Sequence, residues 1–316
     1  MQFHPILDRR LLFVSGKGGV GKTVTTAALA VYAFRRRKRV LVVELSPYGR
    51  IRDLLGGPEL GPEPVEIQPH LDAVRIEPRG ALEDFLQGIL PIRALRQRLL
   101  ASHSFSILTA AAPGIEEFLV LAKIADFEGM RTGLRRRPRY DLILVDAPAT
   151  GHSLPLLSTA RTLMEMMPIG PIGKIAEEVN ALLADQRRSA AVIVTIPEEM
   201  AVNETIEITS SLARGGAIGI GPLVVNAVWP ERFTADEARW LTQGPLDSSD
   251  PLIAAGRYHL EKRRRAEEHL ARIRAELRVD PVVLPFVMNS TLDRPHLRRL
   301  IAALDEAMPV VEAPHA

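Results

Sequence analysis

Residues 16–23 read GKGGVGKT, with glycines at 16, 18, 19 and 21, lysines at 17 and 22, and a threonine at 23. The spacing G-x-x-x-x-G-K-[ST] is suited to holding phosphates. The glycines let successive backbone N–H groups converge on phosphate oxygens. A helix that opens at Lys22 adds the positive end of its dipole. Lys22 can neutralise β- and γ-phosphates, and the Thr23 hydroxyl can ligate Mg²⁺. The expected ATP-binding loop is therefore Gly16, Lys17, Gly18, Gly19, Val20, Gly21, Lys22 and Thr23, with Val24 behind it. A second acidic position completes the pattern. Asp146 closes an apolar run and opens DAPATGH, residues 146–152. A carboxylate at such a strand end can hold Mg²⁺ through a bound water. The break at Gly151 makes a γ-phosphate sensor there conceivable, while His152 reads first as a structural histidine.

These groups need a parallel sheet to position them. LLFVS at 11–15, RVLVVEL at 39–45, residues 141–145, AAVIVTI at 190–196, LVVNAV at 223–228 and residues 282–286 are apolar runs without alternation. Strands of this kind, separated by helical stretches, are buried on both faces. The expected class is a doubly wound α/β fold, the mainly parallel sheet of a P-loop NTPase. Residues 56–69, rich in Pro and Gly, read as a loop. Residues 81–123 and 153–185 read as helical inserts beside the sheet. Residues 258–277 read as a long charged helix, and 297–308 as a last helix with an apolar stripe. No domain boundary is marked, so 1–316 reads as one ATPase domain.

Composition removes several alternatives. Of 316 residues, 47% are hydrophobic and 25% charged, which is globular composition. Forty Lys and Arg against 38 Asp and Glu give a net charge of +2, so no broad polyanion-binding field exists. Cysteine is absent, which excludes disulfides, thiolate metal sites and a cysteine nucleophile. No apolar run approaches the ~18 residues of a membrane span. The N-terminus lacks a signal-peptide pattern. The expectation is a cytoplasmic protein with no nucleic-acid partner and no stable membrane insertion.

GKGGVGKT, PGIEE at 113–117 and DAPATGH, taken in order, resemble the ArsA family of P-loop ATPases, and within it the bacterial single-domain relatives of the tail-anchored-protein targeting ATPase. The likeness continues through VTIPEEMAVNET at 194–205, LVVNAV around Asn226 and LPFV at 284–287. Lys17 gives the deviant form of the loop. In proteins of this form that lysine reaches across a dimer interface to the other subunit's phosphates, as an arginine finger does elsewhere. The resemblance implies a dimeric ATPase whose nucleotide state opens and closes a composite interface. It implies that Asn226 reads the adenine edge and that Pro285 and Phe286 lie against the base.

The chain also departs from the family. The first switch normally carries D-P-A-H and a downstream aspartate; here residues 42–56 read VVELSPYGRIRDLLG. Alignment on Pro47 puts Ser46 where the water-activating aspartate belongs, and a serine cannot serve as that base. Glu44, two residues earlier on the same strand face, is the substitute that geometry allows. Asp53 matches the downstream aspartate. Lys17, Glu44 and Asp53 are the expected catalytic residues, with turnover in doubt. Without cysteine, neither a metalloid thiolate cluster nor a zinc-clamped dimer is available. Met164, Met166 and Met167 read either as core or as the wall of a client groove. Three functions follow from these readings. The first is a slowly hydrolysing dimeric switch acting on a protein client. The second is a low-activity regulatory subunit paired with a related ATPase. The third is a positioning ATPase of the MinD or ParA type.

Overall fold

The computed structural model describes residues 6–46, 49–89, 114–132, 136–148, 150–166, 171–244, 250–288 and 294–308. The strands are β1 (Leu11–Ser15), β2 (Val40–Glu44), β3 (Val65–Gln68), β4 (Leu71–Arg75), β5 (Arg131–Thr132), β6 (Arg137–Pro138), β7 (Leu142–Asp146), β8 (Ser189–Thr195), β9 (Gly219–Val228) and β10 (Val282–Pro285). The helices begin with α1 (Lys22–Arg35), α2 (Ile51–Leu55), α3 (Pro78–Ile89), α4 (Ile115–Gly129) and α5 (Thr150–Met166). They continue with α6 (Pro171–Ala184), α7 (Glu199–Gly215), α8 (Ala235–Gln243), α9 (Pro251–Leu277) and α10 (Arg294–Ala307).

Eight strands form one sheet in the order β10-β9-β8-β1-β7-β2-β4-β3. Every described pairing in it is parallel except β3 on β4. β1 lies between β7 and β8, which puts the phosphate loop at the carboxyl end of the sheet's centre. Such strands are apolar on both faces because helices cover both. Leu12, Val14, Val42 and Leu144 turn to α1, α2 and α10. Leu11, Phe13, Val43 and Val145 turn to the opposite layer, built from α3, α4, α5, α6, α7 and α9. Both expected inserts contribute to that second layer, although residues 90–113 of the first lie outside the described residues.

The stretch at 56–69, read from sequence as a loop, contains β3, and β4 directly after it was not anticipated. Pro64 and Pro69 flank β3 and read as breakers, but an edge strand tolerates them. β4 is broken by Asp72 and Arg75, and both have partners inside the fold. Tyr140 Oη donates to Asp72 Oδ2 at 2.7 Å, and Arg75 meets Glu44. The charged helix α9 starts at Pro251 rather than at 258. Asp250 accepts from Leu252 N at 2.8 Å and proline occupies the first turn, a strong helix start. The stripe of α10, Leu297, Leu300, Ile301 and Leu304, is buried against α1. Arg36 pairs with Asp305 at 2.8 Å and Tyr32 Oη bonds the Met308 carbonyl, which fixes the helix end. Leu163 is buried and Met164 packs on the same core; Met166 ends α5, and Met167 lies outside the described residues. Among the described residues no helix is long and apolar enough to cross a membrane.

Candidate functional site

The phosphate loop leaves β1 at Ser15 and enters α1 at Lys22. Gly16 lies so close to the Val194 carbonyl of β8 that an added Cβ would overlap it. Gly21 has φ +91°, and an added Cβ there would overlap the Asn226 amide. Each glycine is therefore fixed by backbone geometry and by a neighbour. Val20 and Val24 are buried beneath the loop, while Gly18 and Gly19 face solvent. Lys22 Nζ donates to the carbonyls of Gly16 and Lys17, each at 3.0 Å, so its ammonium is curled inside the loop. Burial lowers its pKa, while the nearby Asp146 and Glu204 carboxylates act the other way.

Asp146 ends β7 beside β1 and is 2% exposed. Thr23 Oγ1 donates to its Oδ2 at 2.7 Å, and Thr26 Oγ1 stands 3.4 Å from Oδ1. Burial pushes the carboxyl up to about 6, against the pull of Thr23 and Lys22. The donors brought together are a hydroxyl and a carboxylate, the hard oxygen set Mg²⁺ prefers. Among the described residues no Lys or Arg forms an ion pair with this carboxylate, so the site fits a divalent cation, which Thr23 and Asp146 would hold. When bound, Mg²⁺ neutralises charge on the β- and γ-phosphates.

Lys17 is partly exposed, and its Nζ lies 3.7 Å from Glu204 Oε2 on α7. Glu204 stands over the loop and was not singled out from sequence, although it belongs to the VTIPEEMAVNET stretch. Asn226 Nδ2 donates to the Val20 carbonyl at 3.0 Å, which ties β9 to the loop. The next residue, Ala227, has φ +58°, a left-handed conformation that is uncommon for alanine. Phe286 stacks on Trp229 with centroids 4.8 Å apart and planes at 15°. Its N–H donates to the Val228 carbonyl at 2.8 Å. Pro197, Glu199, Ala227, Trp229, Tyr258 and Phe286 line a cleft of about 500 Å³. Pro285 ends β10 directly before Phe286 and is not among the residues that line the cleft. Trp229 and Tyr258 were missed, since a lone aromatic beside NAV or on a charged helix carries no sequence signal. The basic run on α9 is engaged: Arg264 and Arg265 pair with Glu261, and Lys262 lies over the Tyr258 ring.

The expected switch residues are placed differently from the loop. Glu44 is fully buried, and its carboxylate accepts from Ile51 N at 2.9 Å and from Arg75 Nε and Nη2 at 3.0 and 2.8 Å. It is the register neighbour of Asp146 across β2 and β7. Ser46 follows one residue after Leu45, with its carbonyl bonded by Gly49 N at 3.1 Å. Asp53 is exposed on α2, near Arg50 at 3.9 Å and Arg52 at 3.5 Å. The structure thus gathers the loop, Asp146, Asn226 and the aromatic cleft into one region, and leaves Asp53 on the outside of its helix.

Comparison with known proteins agrees with this geometry. Residues 9–176, just over half of the chain, match the ArsA family, described as anion-transporting ATPases. The chain is 28% identical over 255 residues to "ATPase BagA" of Mycobacterium tuberculosis, covering 78% of this chain and 74% of that protein. It is 28% identical over 261 residues to "ATPase get3" of Neurospora crassa, covering 70% and 74%. Against the "Arsenical pump-driving ATPase" of Acidiphilium multivorum it is 29% identical over 246 residues, covering 72% of this chain and 41% of that protein. The chain belongs to the ArsA family of anion-transporting ATPases.

Proposed function

We propose that the protein is a Mg-ATP-dependent ATPase switch of the ArsA and tail-anchored targeting type, which couples its nucleotide state to a protein client. One observation carries this reading: a glycine loop fixed against Val194 and Asn226, with Lys22 inside it and the Thr23 hydroxyl on the Asp146 carboxylate. ATP binds with its phosphates in the loop, and its base enters the cleft between Asn226 and the Trp229–Phe286 stack. Gly16, Lys17, Gly18, Gly19, Val20, Gly21, Lys22, Thr23 and Val24 surround the phosphates. The working unit is a dimer, either of two copies or with a related ATPase, in which Lys17 leaves Glu204 and reaches the partner's phosphates. The protein acts in the cytoplasm as one ATPase domain, without nucleic acid. The regulatory-subunit reading is the second one, and Ser46 favours it, because a hetero-pair retains one competent switch.

Hydrolysis by the protein alone is slow. Ser46 offers no carboxylate to the attacking water, and general-base assistance typically contributes ~10²–10⁴-fold. Glu44 has both oxygens occupied, which supports a role other than that base. The test is ATP turnover by purified protein and by Ser46→Asp. Slow wild-type turnover that rises in the variant supports the reading. Ordinary turnover in wild type contradicts it.

A further inference from the structure

We propose that Glu44 anchors the first switch from beneath and that Arg75 is the positioning residue that holds this anchor. The inference rests on the ATPase reading and concerns how that site is held.

Glu44 ends β2 at the same level as Asp146 on β7. Its Oε1 accepts from Ile51 N, the first amide of α2, whose own N-cap residue, Arg50, makes no side-chain cap. The glutamate therefore caps the switch helix from the sheet. Its Oε2 receives both Nε and Nη2 of Arg75, a geometry that fixes direction as well as charge. Gly49 lies directly on this carboxylate, and an added Cβ would overlap it. The switch backbone at 49–51 is thus laid on Glu44, and Gly49 N closes a turn onto the Ser46 carbonyl.

A buried ion pair is a weak source of net stability but a strong constraint on position. This one sits where the family's switch carries its carboxylate two residues further on. Its second arm lies on β4, and Ile76 N, one residue past that strand, bonds the Glu44 carbonyl at 3.0 Å. Helix α3 begins at Pro78. The anchor therefore joins the switch to the strand that leads into the helical layer. A serine at 46 has no charge with which to order the switch on the nucleotide, and the Glu44–Arg75 pair orders it from below instead.

The experiment is titration calorimetry of the full chain with Mg-ADP, without and with aluminium fluoride, which mimics the transferring phosphoryl group. Wild type, Arg75→Gln, Arg75→Lys, Glu44→Gln and Gly49→Ala are compared. Mg-ADP affinity should stay within about twofold in all of them, since the ground-state contacts are in the loop. The extra affinity gained with aluminium fluoride should fall on the order of 10²-fold in Arg75→Gln and in Glu44→Gln, because small misplacements cost that much. Arg75→Lys should restore part of it, and Gly49→Ala should lose it with both ion-pair partners intact. Variants that keep the gain overturn the proposal. So does a loss in Glu44→Gln without one in Arg75→Gln, which would make Glu44 the base. Wild type that binds no Mg-ADP defeats the nucleotide reading instead. Amide hydrogen exchange then decides the anchor: Arg75→Gln must speed exchange at 49–55 and leave 22–35 unchanged, and equal exchange overturns it.

Discussion

Two buried carboxylates stand at opposite ends of the sheet. Asp146 lies at the carboxyl end of β7 and is 2% exposed; Glu128, near the end of α4, is 3% exposed and faces the amino ends of β1 and β8. Burial pushes both up. At Glu128 the guanidiniums of Arg10 and Arg188 outweigh burial and hold the carboxyl below its ordinary range. At Asp146 the close partners are hydroxyls, Lys22 is turned to loop carbonyls, and the carboxyl rises to about 6. The fold neutralises the acid that has only to stay folded. It leaves the charge on Asp146 uncompensated, as the proposed Mg²⁺ site requires.

The comparison breaks most visibly at Glu128. Glu128→Gln leaves two guanidiniums without their counter-charge and should cost about 3 kcal/mol, the low end of the range because both reach solvent. Urea unfolding measures it, and nucleotide affinity should not change.

Asp146→Asn should do the opposite. The folded carboxyl titrates at about 6 against an ordinary 3.8. The folded state therefore holds its proton longer than the unfolded state, and stability from this group falls as pH rises from about 4 to about 6. At neutral pH the ionised group costs the nucleotide-free protein about 3 kcal/mol, so Asp146→Asn should raise stability by about that amount. The gain should vanish below about pH 4, and Mg²⁺ should no longer tighten ATP binding. Denaturant titrations at both pH values and calorimetry with and without Mg²⁺ check these outcomes. A variant less stable than wild type at neutral pH would show that Asp146 is compensated after all.

The smallest stability effect belongs to Lys17. Its contact with Glu204 is long and partly exposed. Lys17→Ala should change stability by less than about 0.5 kcal/mol. On the dimer reading it should nevertheless slow turnover, because the lysine acts across the interface. Equal turnover in the variant breaks that reading.

Much of this was legible in the sequence. The loop is local, so its glycines, Lys22 and Thr23 announce themselves by spacing, and the strand before it announces itself by an unbroken apolar run. Asp146 was legible because another apolar run, residues 142–145, ends on it. What could not be read was whatever depends on distant partners. Arg75 reads as a charge that interrupts a strand until Glu44 is placed beside it, and β4 was missed with it. Glu204 becomes visible only when α7 returns over the loop. Trp229 and Tyr258 need β9 and α9 side by side. Glu44 was legible as a carboxylate near the switch, whereas its occupation by three donors follows from tertiary structure alone.

The central claim is that this loop binds Mg-ATP. Titration calorimetry of wild type against Lys22→Ala tests it most directly. The account predicts Mg²⁺-dependent binding in wild type and, in the folded variant, a loss of about tenfold to a hundredfold, which corresponds to roughly 1.5–3 kcal/mol for a charge-assisted phosphate contact. Unchanged affinity in a folded Lys22→Ala protein would contradict it.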